Sequence, residues 1–375
     1  MRKFLRRGGA ALLAACTLWV VIATVESRSL PAATAAMWES FHLSESLVRL
    51  ELGDLSGRKN ASLSTLLCLG QSPLLWTAYG TLPEEPPSQP EPEPEPEPQP
   101  EPAPQPTASS GLSEGLTFAD NGSPSQTVIP TASSAYITAG SVFIKNAADK
   151  ALDTSLLDGT FPAQLGDNTQ PQVLILHTHG SEAYTMPAGQ EYSSSGSYRT
   201  TDTEKNMIRI GDEIAAVLAQ YGISVLHDRQ IHDSDYNSAY SKSRASAADY
   251  LEKYPSLSFI LDIHRDAISD ADGQQYKLVT KEDPHAAQLS IVMGSNYDGW
   301  TDNLRLAAAV QSHLLAEHPT LMRPIILRYY GYNQGLCRGS MLVEIGAAGN
   351  SLDEAIYSAR IFAAGFAETL GAQKQ

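Results

Sequence analysis

From about residue 135 onward, short apolar runs alternate with longer stretches whose apolar residues recur at helical spacing. Residues 142–145 read as a short entry strand, and 152–157 as a segment packed on the domain edge. Residues 173–177, 223–226, 258–263, 288–293 and 340–345 read as strands, being too short for helices and rich in Val, Ile and Leu. Between them, residues 204–220 put Met207, Ile210, Ile214, Val217 and Leu218 on one helical face, and Gly222 ends that helix. Residues 239–253 and 302–316 predict two more helices. Ser351-Leu-Asp-Glu354 is a capping box, in which the Ser and Glu side chains satisfy each other's free N–H groups. The helix it opens carries Leu352, Ile356, Ala359, Ala363, Phe366 and Leu370 on one stripe. Wholly apolar strands alternating with helices predict an α/β fold, a twisted, mostly parallel sheet with helices on both faces. In such sheets ligands gather at the carboxyl ends of the strands.

The preceding residues carry no such alternation. Residues 1–25 hold Arg2, Lys3, Arg6 and Arg7, then 18 residues without a charge from Gly8 to Val25. A basic flank before a run of that length predicts an uncleaved membrane anchor, with the N-terminus cytoplasmic and the rest of the chain outside. Leu13-Ala-Ala-Cys16 resembles a lipidation box, but the apolar run continues past the cysteine. Residues 26–82 read as a juxtamembrane stalk. Residues 83–134 read as a linker, first Pro-Glu repeats and then a Ser/Thr-rich stretch from 107 without expected structure. The seven Glu and no Lys or Arg between 83 and 106 predict an extended polyproline spacer, on the order of 70 Å at full stretch. Residues 135–375 are left as the catalytic domain.

The formal charge of −16 speaks against a nucleic-acid partner, which needs a basic face. Cys16, Cys68 and Cys337 lie in unrelated contexts and form no disulfide or metal framework, so any metal site must use His and carboxylate. His179 and Glu182 follow the first long strand, His264 closes the 258–263 strand, and Glu344 closes the last one. Two imidazoles and a carboxylate with one open position suit a catalytic zinc, which activates water for amide hydrolysis. His179, Glu182 and His264 are the expected ligands and Glu344 the expected base. His177 is open as a ligand or as a group orienting one, and Glu204, at a helix start, is the alternative to Glu182. Asp262 shares the strand face of His264 and reads as its support. Arg265 is read as assisting the oxyanion or forming a salt bridge.

At these residues the chain resembles the stage II sporulation protein P family of membrane-anchored peptidoglycan amidases. The matching stretches are Val142-Phe-Ile-Lys-Asn146, Ile175-Leu-His-Thr-His-Gly-Ser-Glu-Ala-Tyr184, Asp262-Ile-His-Arg-Asp-Ala267, Tyr332-Asn-Gln334 and Leu342-Val-Glu-Ile-Gly346. The resemblance implies cleavage of the amide between N-acetylmuramic acid and L-alanine, with a further endopeptidase activity on cross-links as an option. It also implies work at the sporulation septum during engulfment, with sporulation proteins D and M as partners. More distantly the pattern is similar to zinc-dependent muramoyl-alanine amidases of autolysins. Those carry a Pro-Gly-His-Gly-Gly loop, where this chain has His177-Thr-His179, and a ligand Glu that would align with Glu204. Two other readings stand beside the amidase: an amidohydrolase, which needs an eight-stranded barrel, and a wall-binding scaffold without turnover.

Overall fold

A computed structural model describes residues 111–131, 135–193 and 198–374. The expected anchor, stalk and Pro-Glu spacer lie outside the described residues. Among the described residues no helix is long and apolar enough to cross a membrane.

Ten strands are formed among the described residues: β1 (Ser125–Gln126), β2 (Ile137–Ala139), β3 (Val142–Asn146), β4 (Val173–Leu176), β5 (Val225–His227), β6 (Phe259–Asp266), β7 (Lys277–Leu278), β8 (Leu289–Gly294), β9 (Ile325–Arg328) and β10 (Ser340–Ala347). Four α-helices accompany them among the described residues: α1 (Met207–Gln220), α2 (Ala239–Lys253), α3 (Trp300–Glu317) and α4 (Leu352–Thr369). Eight strands make one sheet in the order β2-β3-β9-β8-β10-β6-β4-β5, while β1 pairs with β7 separately. The sheet is open, so the barrel that an amidohydrolase requires is absent from the described residues.

The expected α/β architecture is present. β5, β4, β6 and β10 are mutually parallel, as are β3, β9 and β8. β8 runs antiparallel to β10. The physical reason lies in the connections: β6 reaches β8 through residues 267–288 with no crossover helix, whereas β4 reaches β5 through α1 and β5 reaches β6 through α2.

Strand alternation divides the core. Val173, Ile175, Phe259, Leu261 and Ile263 face a large cluster with α1, α3 and α4. Leu174, Leu176 and Ile260 face the other way, onto Ala247 and Leu257 and the flank of α2. The helices thus cover both faces, which is why these strands read as continuous apolar runs.

Several boundaries differ from the sequence reading. The first helix begins at Met207, because Asn206 caps it by accepting the Ile208 N–H, and residue 204 precedes it in a turn. β9 was not anticipated, its short Ile-Ile-Leu run being hidden behind Pro324. Residues 111–131, read as part of a linker, lie against the domain. Leu112, Leu116 and Phe118 pack on the main core, and Arg360 Nη1 donates to Leu112 O and Glu114 O, both at 2.8 Å. A few scattered apolar residues in a polar stretch leave too little local periodicity to reveal this. At the other end, the Ser351–Glu354 capping box forms as expected.

Candidate active site

β4, β6 and β10 are neighbours and bring their carboxyl ends together. His264 and Glu344 are register partners across β6 and β10, so their backbones lie about 5 Å apart and their side chains share a face. The pairing shifts just after Glu344, where Gly346 takes φ 65° in a bulge that ends the regular ladder. A Cβ at Gly346 would press on Asn350 Oδ1 at 3.0 Å. On β4 the chain leaves the sheet after Leu176, the register partner of Asp262. Thr178 is then clamped to Asp262, its N–H donating to Oδ1 at 2.8 Å and its hydroxyl to Oδ2 at 2.6 Å. This clamp fixes the turn that carries His179 and Glu182 to the end of β6.

Glu182 Oε2 lies 3.4 Å from His264 Nδ1, and Glu182 Oε1 lies 3.1 Å from Arg199 Nη2. The Arg265 backbone N–H also donates to Glu182 Oε2 at 3.3 Å. Burial alone would raise the pKa of Glu182, but the hydrogen bond with His264 and the charges of Arg265 and His179 outweigh it, leaving it at about 2. The His264 ring stands 5.4 Å from that of His179, nearly perpendicular to it. His179 stacks on Tyr236 at 4.6 Å and meets the edge of Tyr240 at 5.6 Å.

The protonation states follow from these surroundings. Burial opposes a charge on His264, yet Asp262 and Glu182 on either side hold its pKa well above the ordinary value. Burial pushes His179 down. Glu344 is raised to about 8, first by burial and then by the nearby charge of Asp266, with His264 offsetting part of the effect. Burial, then Asp262, also raises the Tyr240 phenol, which therefore keeps its proton.

Three buried polar atoms at this place lack a hydrogen-bond partner: His179 Nδ1, His264 Nε2 and Glu344 Oε2. His264 Nε2 is 2.9 Å from Asp262 Oδ1 but misaligned for a hydrogen bond. His179 Nδ1 is 3.9 Å from Asp233 Oδ2, beyond hydrogen-bonding distance. Buried nitrogens and carboxylates are rarely left so. The set fits a divalent cation in its chemistry and in the open His179 Nδ1 and Glu344 Oε2, while on His264 the nitrogen facing Glu182 is Nδ1 and Nε2 lies against Asp262. Glu182 Oε2 and His264 Nδ1 already stand near the roughly 3.3 Å that separates two ligands of one tetrahedral zinc. His179 stands further off. Among the described residues the trio with ligand atoms all within 4.8 Å of one another is His313, Glu317 and Glu368, which are partly or fully exposed.

The structure thus gathers His179, Glu182, His264 and Glu344, with Asp262 against His264 and Arg265 against Glu182, and separates His177 and Glu204 from them. His177 uses both ring nitrogens inside the fold, Nδ1 at 3.1 Å from Ile263 O and Nε2 at 2.8 Å from His227 Nε2. Burial, then the charge of His227, lowers its pKa to about 3, so it stays neutral. Gly211 is required beneath this pair, because a Cβ there would collide with both rings. Glu204 is exposed in the turn before α1 and contributes only its backbone N–H, to Asp202 Oδ1 at 3.1 Å. Arg265, expected either to assist the oxyanion or to form a salt bridge, lies 3.9 Å from Glu182 Oε1 through its Nη1. Its Nε donates to Ala183 O at 3.1 Å and its Nη2 to Tyr198 O at 3.2 Å, bracing the Glu182 loop.

Sequence reasoning missed Arg199, Asp233, Tyr236 and Tyr240. Asp233 accepts from Ser181 Oγ at 2.5 Å and pairs with Arg199 Nη1 at 2.5 Å, tying the loop after β5 to the His179 turn. The available signal was that Asp233 follows a strand whose carboxyl end neighbours that of β4. Nothing local distinguished Arg199 or the two tyrosines.

Against known proteins, the chain is 25% identical over 208 residues to stage II sporulation protein P of Bacillus subtilis (strain 168), covering 52% of this chain and 50% of that protein. The chain therefore spans about half the length of the curated relative it matches. Among solved structures it is similar to the N-acetylmuramoyl-L-alanine amidase AmiC2 of Nostoc punctiforme, at 16% identity and TM-score 0.34, covering 53% of this chain and 97% of that one. It is also similar to the N-acetylmuramyl-L-alanine amidase Ami1 from Mycobacterium smegmatis, at 16% identity and TM-score 0.35, covering 55% and 100%. The family model described as stage II sporulation protein P matches residues 117–367, nearly the whole of the described fold and both histidine stretches, and the chain belongs to that family.

Proposed function

We propose that this chain is a zinc-dependent peptidoglycan hydrolase of sporulation that cleaves the amide between N-acetylmuramic acid and L-alanine. The observation that carries the reading is the convergence of His179, Glu182, His264 and Glu344 at adjoining strand ends, with His179 Nδ1 and Glu344 Oε2 buried and unsatisfied and His264 Nδ1 facing Glu182, in a member of this family. Family membership supports a role in sporulation and the donor set supports metal-assisted hydrolysis.

His179, Glu182 and His264 would hold the ion. Bound there, zinc polarises a carbonyl and lowers the pKa of water to about 7. Glu344 takes the proton of the attacking water and returns it to the leaving nitrogen. A carboxyl raised to about 8 is matched to moving a proton both ways near neutral pH. Asp262 orients His264, while Arg199 and Arg265 keep Glu182 ionised and in place. The protonated Tyr240 hydroxyl is available as a donor beside His179. An N-terminal membrane span, an extracytoplasmic catalytic head and cooperation with sporulation proteins D and M belong to the same proposal.

The test is mass spectrometry of fragments released from purified sacculi by the zinc-loaded and the chelator-treated chain. Free stem peptides beginning in L-alanine, produced with metal alone, are expected. Fragments cut elsewhere, or equal release in chelator, would overturn the reading.

A further inference from the structure

A cleft of about 630 Å³ lies beside the site, lined by Tyr240, Arg244, Tyr297, Tyr330 and Tyr332 among others. That volume suits a small ligand or a segment of a larger one. A row of neighbouring rings links the wall of the cleft to the candidate site. His264 to His179 is 5.4 Å, His179 to Tyr240 is 5.6 Å, Tyr240 to Tyr332 is 6.0 Å, and Tyr332 to Tyr330 is 6.4 Å. Tyr330 at the outer end is 72% exposed.

Its wall is built in a conformation that needs external support. Tyr332 and Asn333 have φ values of 47° and 58°, consecutive non-glycine residues in the left-handed region that such residues avoid. The surroundings hold them there. Asn333 Nδ2 donates to Tyr240 O at 2.9 Å and to Ser243 Oγ at 3.1 Å. Gln334 Nε2 donates to Val292 O at 2.8 Å, and its Oε1 accepts from Gly294 N at 2.8 Å. Strain sustained in this way is a mark of functional geometry. The Tyr332-Asn-Gln334 stretch has no part in the hydrolytic step described above, so its evident task is to hold the Tyr332 ring against Tyr240.

Arg244 supplies the charge. It is exposed on α2, lines the cleft, and has no hydrogen bond or ion pair among the described residues, in a chain of formal charge −16. A guanidinium presents paired donors that match a carboxylate. A sugar ring also packs on tyrosine faces, but its neutral hydroxyl and acetamido oxygens offer that cation weaker hydrogen bonds than a carboxylate does. We propose that the cleft receives the peptide side of the scissile amide, an acidic peptide whose carboxylate pairs with Arg244 while Tyr240 and Tyr332 pack on its backbone and alkyl groups. As a substrate subsite, this rests on the amidase reading above.

The test uses the full chain, zinc-loaded, with a soluble muramoyl tetrapeptide bearing free carboxylates and the same compound with carboxamides in their place. The parent should show a KM about 10- to 100-fold lower for the free acid, the factor expected of one charge-assisted contact. Arg244→Ala should lose that preference and give both substrates similar KM values, and Arg244→Lys should recover part of it. Calorimetric binding of the tetrapeptide alone, to parent and Arg244→Ala, reads the cleft without turnover. If the parent does not distinguish acid from amide, or Arg244→Ala binds tetrapeptide as well as the parent, the cleft assignment fails. If the tetrapeptide binds through Arg244 but neither substrate is cleaved, the amidase reading fails and the peptide site stands.

Discussion

Replacing Arg265 by alanine separates a brace from a catalytic donor. The side chain is buried, with Nε on Ala183 O at 3.1 Å, Nη2 on Tyr198 O at 3.2 Å and Nη1 3.9 Å from Glu182 Oε1. Alanine leaves the Ala183 carbonyl without that donor and removes one of two donors from Tyr198 O, which keeps the Ala183 N–H at 2.9 Å. It also takes one cation from the Glu182 carboxylate. Charged hydrogen bonds are worth about 1.5–3 kcal/mol each. Deleting one partner of a buried ion pair costs about 3–5 kcal/mol. These contributions share one guanidinium and overlap, so a loss of about 3–5 kcal/mol is expected, a fall of roughly 10 °C in Tm. Urea and thermal unfolding of chelator-treated protein measure it, and competition with a chromophoric chelator should show weakened zinc binding as the Glu182 loop loosens. Lysine should rescue little, since one ammonium cannot reproduce the fork. An oxyanion donor would behave in the opposite way, with stability and zinc affinity kept and kcat reduced about 100- to 1000-fold. That outcome would refute the bracing role.

Glu344→Gln should retain zinc and lose about 100- to 10,000-fold in kcat on wall fragments, and unchanged turnover would remove it as the proton carrier. Glu182→Ala should weaken zinc binding by at least tenfold in the chelator competition, while Glu204→Ala should stay within about twofold; the reverse ranking would reassign the ligand. Glu213 is pushed up by burial but pulled down further by hydrogen bonds from Arg360 and Arg209, so its folded pKa lies below the ordinary glutamate value of 4.5. Its stabilisation is therefore full above about pH 4.5 and fades as pH falls through the lower folded value, so Glu213→Gln should be less stable than the parent at pH 7 by denaturant titration, with the gap closing in acid. Arg360→Ala removes the donors on Leu112 O and Glu114 O, and limited proteolysis near residues 112–118 should quicken about 30-fold for a local loss of about 2 kcal/mol. Equal nicking rates would show that the arginine does not hold this segment.

Much of the site was legible in the sequence because each of its main residues follows an apolar run. His264 and Glu344 are fixed to strand ends by local patterning, and β6 parity alone puts Arg265 on the face opposite His264, which argues against their converging. The Ser351–Glu354 box located the last helix to the residue. The chain's order of strands and helices, its α/β class and the carboxyl-end position of the chemistry are consequences of such short-range information. Strand parity, however, would put His177 and His179 on one face. The strand stops at Leu176, and the Thr178 clamp on Asp262, 84 residues away in sequence, turns the two imidazoles into different surroundings. The same holds for Asp233 behind His179, for Arg199 on Glu182, and for the Tyr240–Tyr332 wall pinned by Asn333. Propensity and periodicity act over a few residues, whereas hydrogen-bond direction and unfilled ligand positions depend on which distant segments pack together. Sequence therefore determined the elements and the donor types, and only the tertiary structure decided which donors face one another.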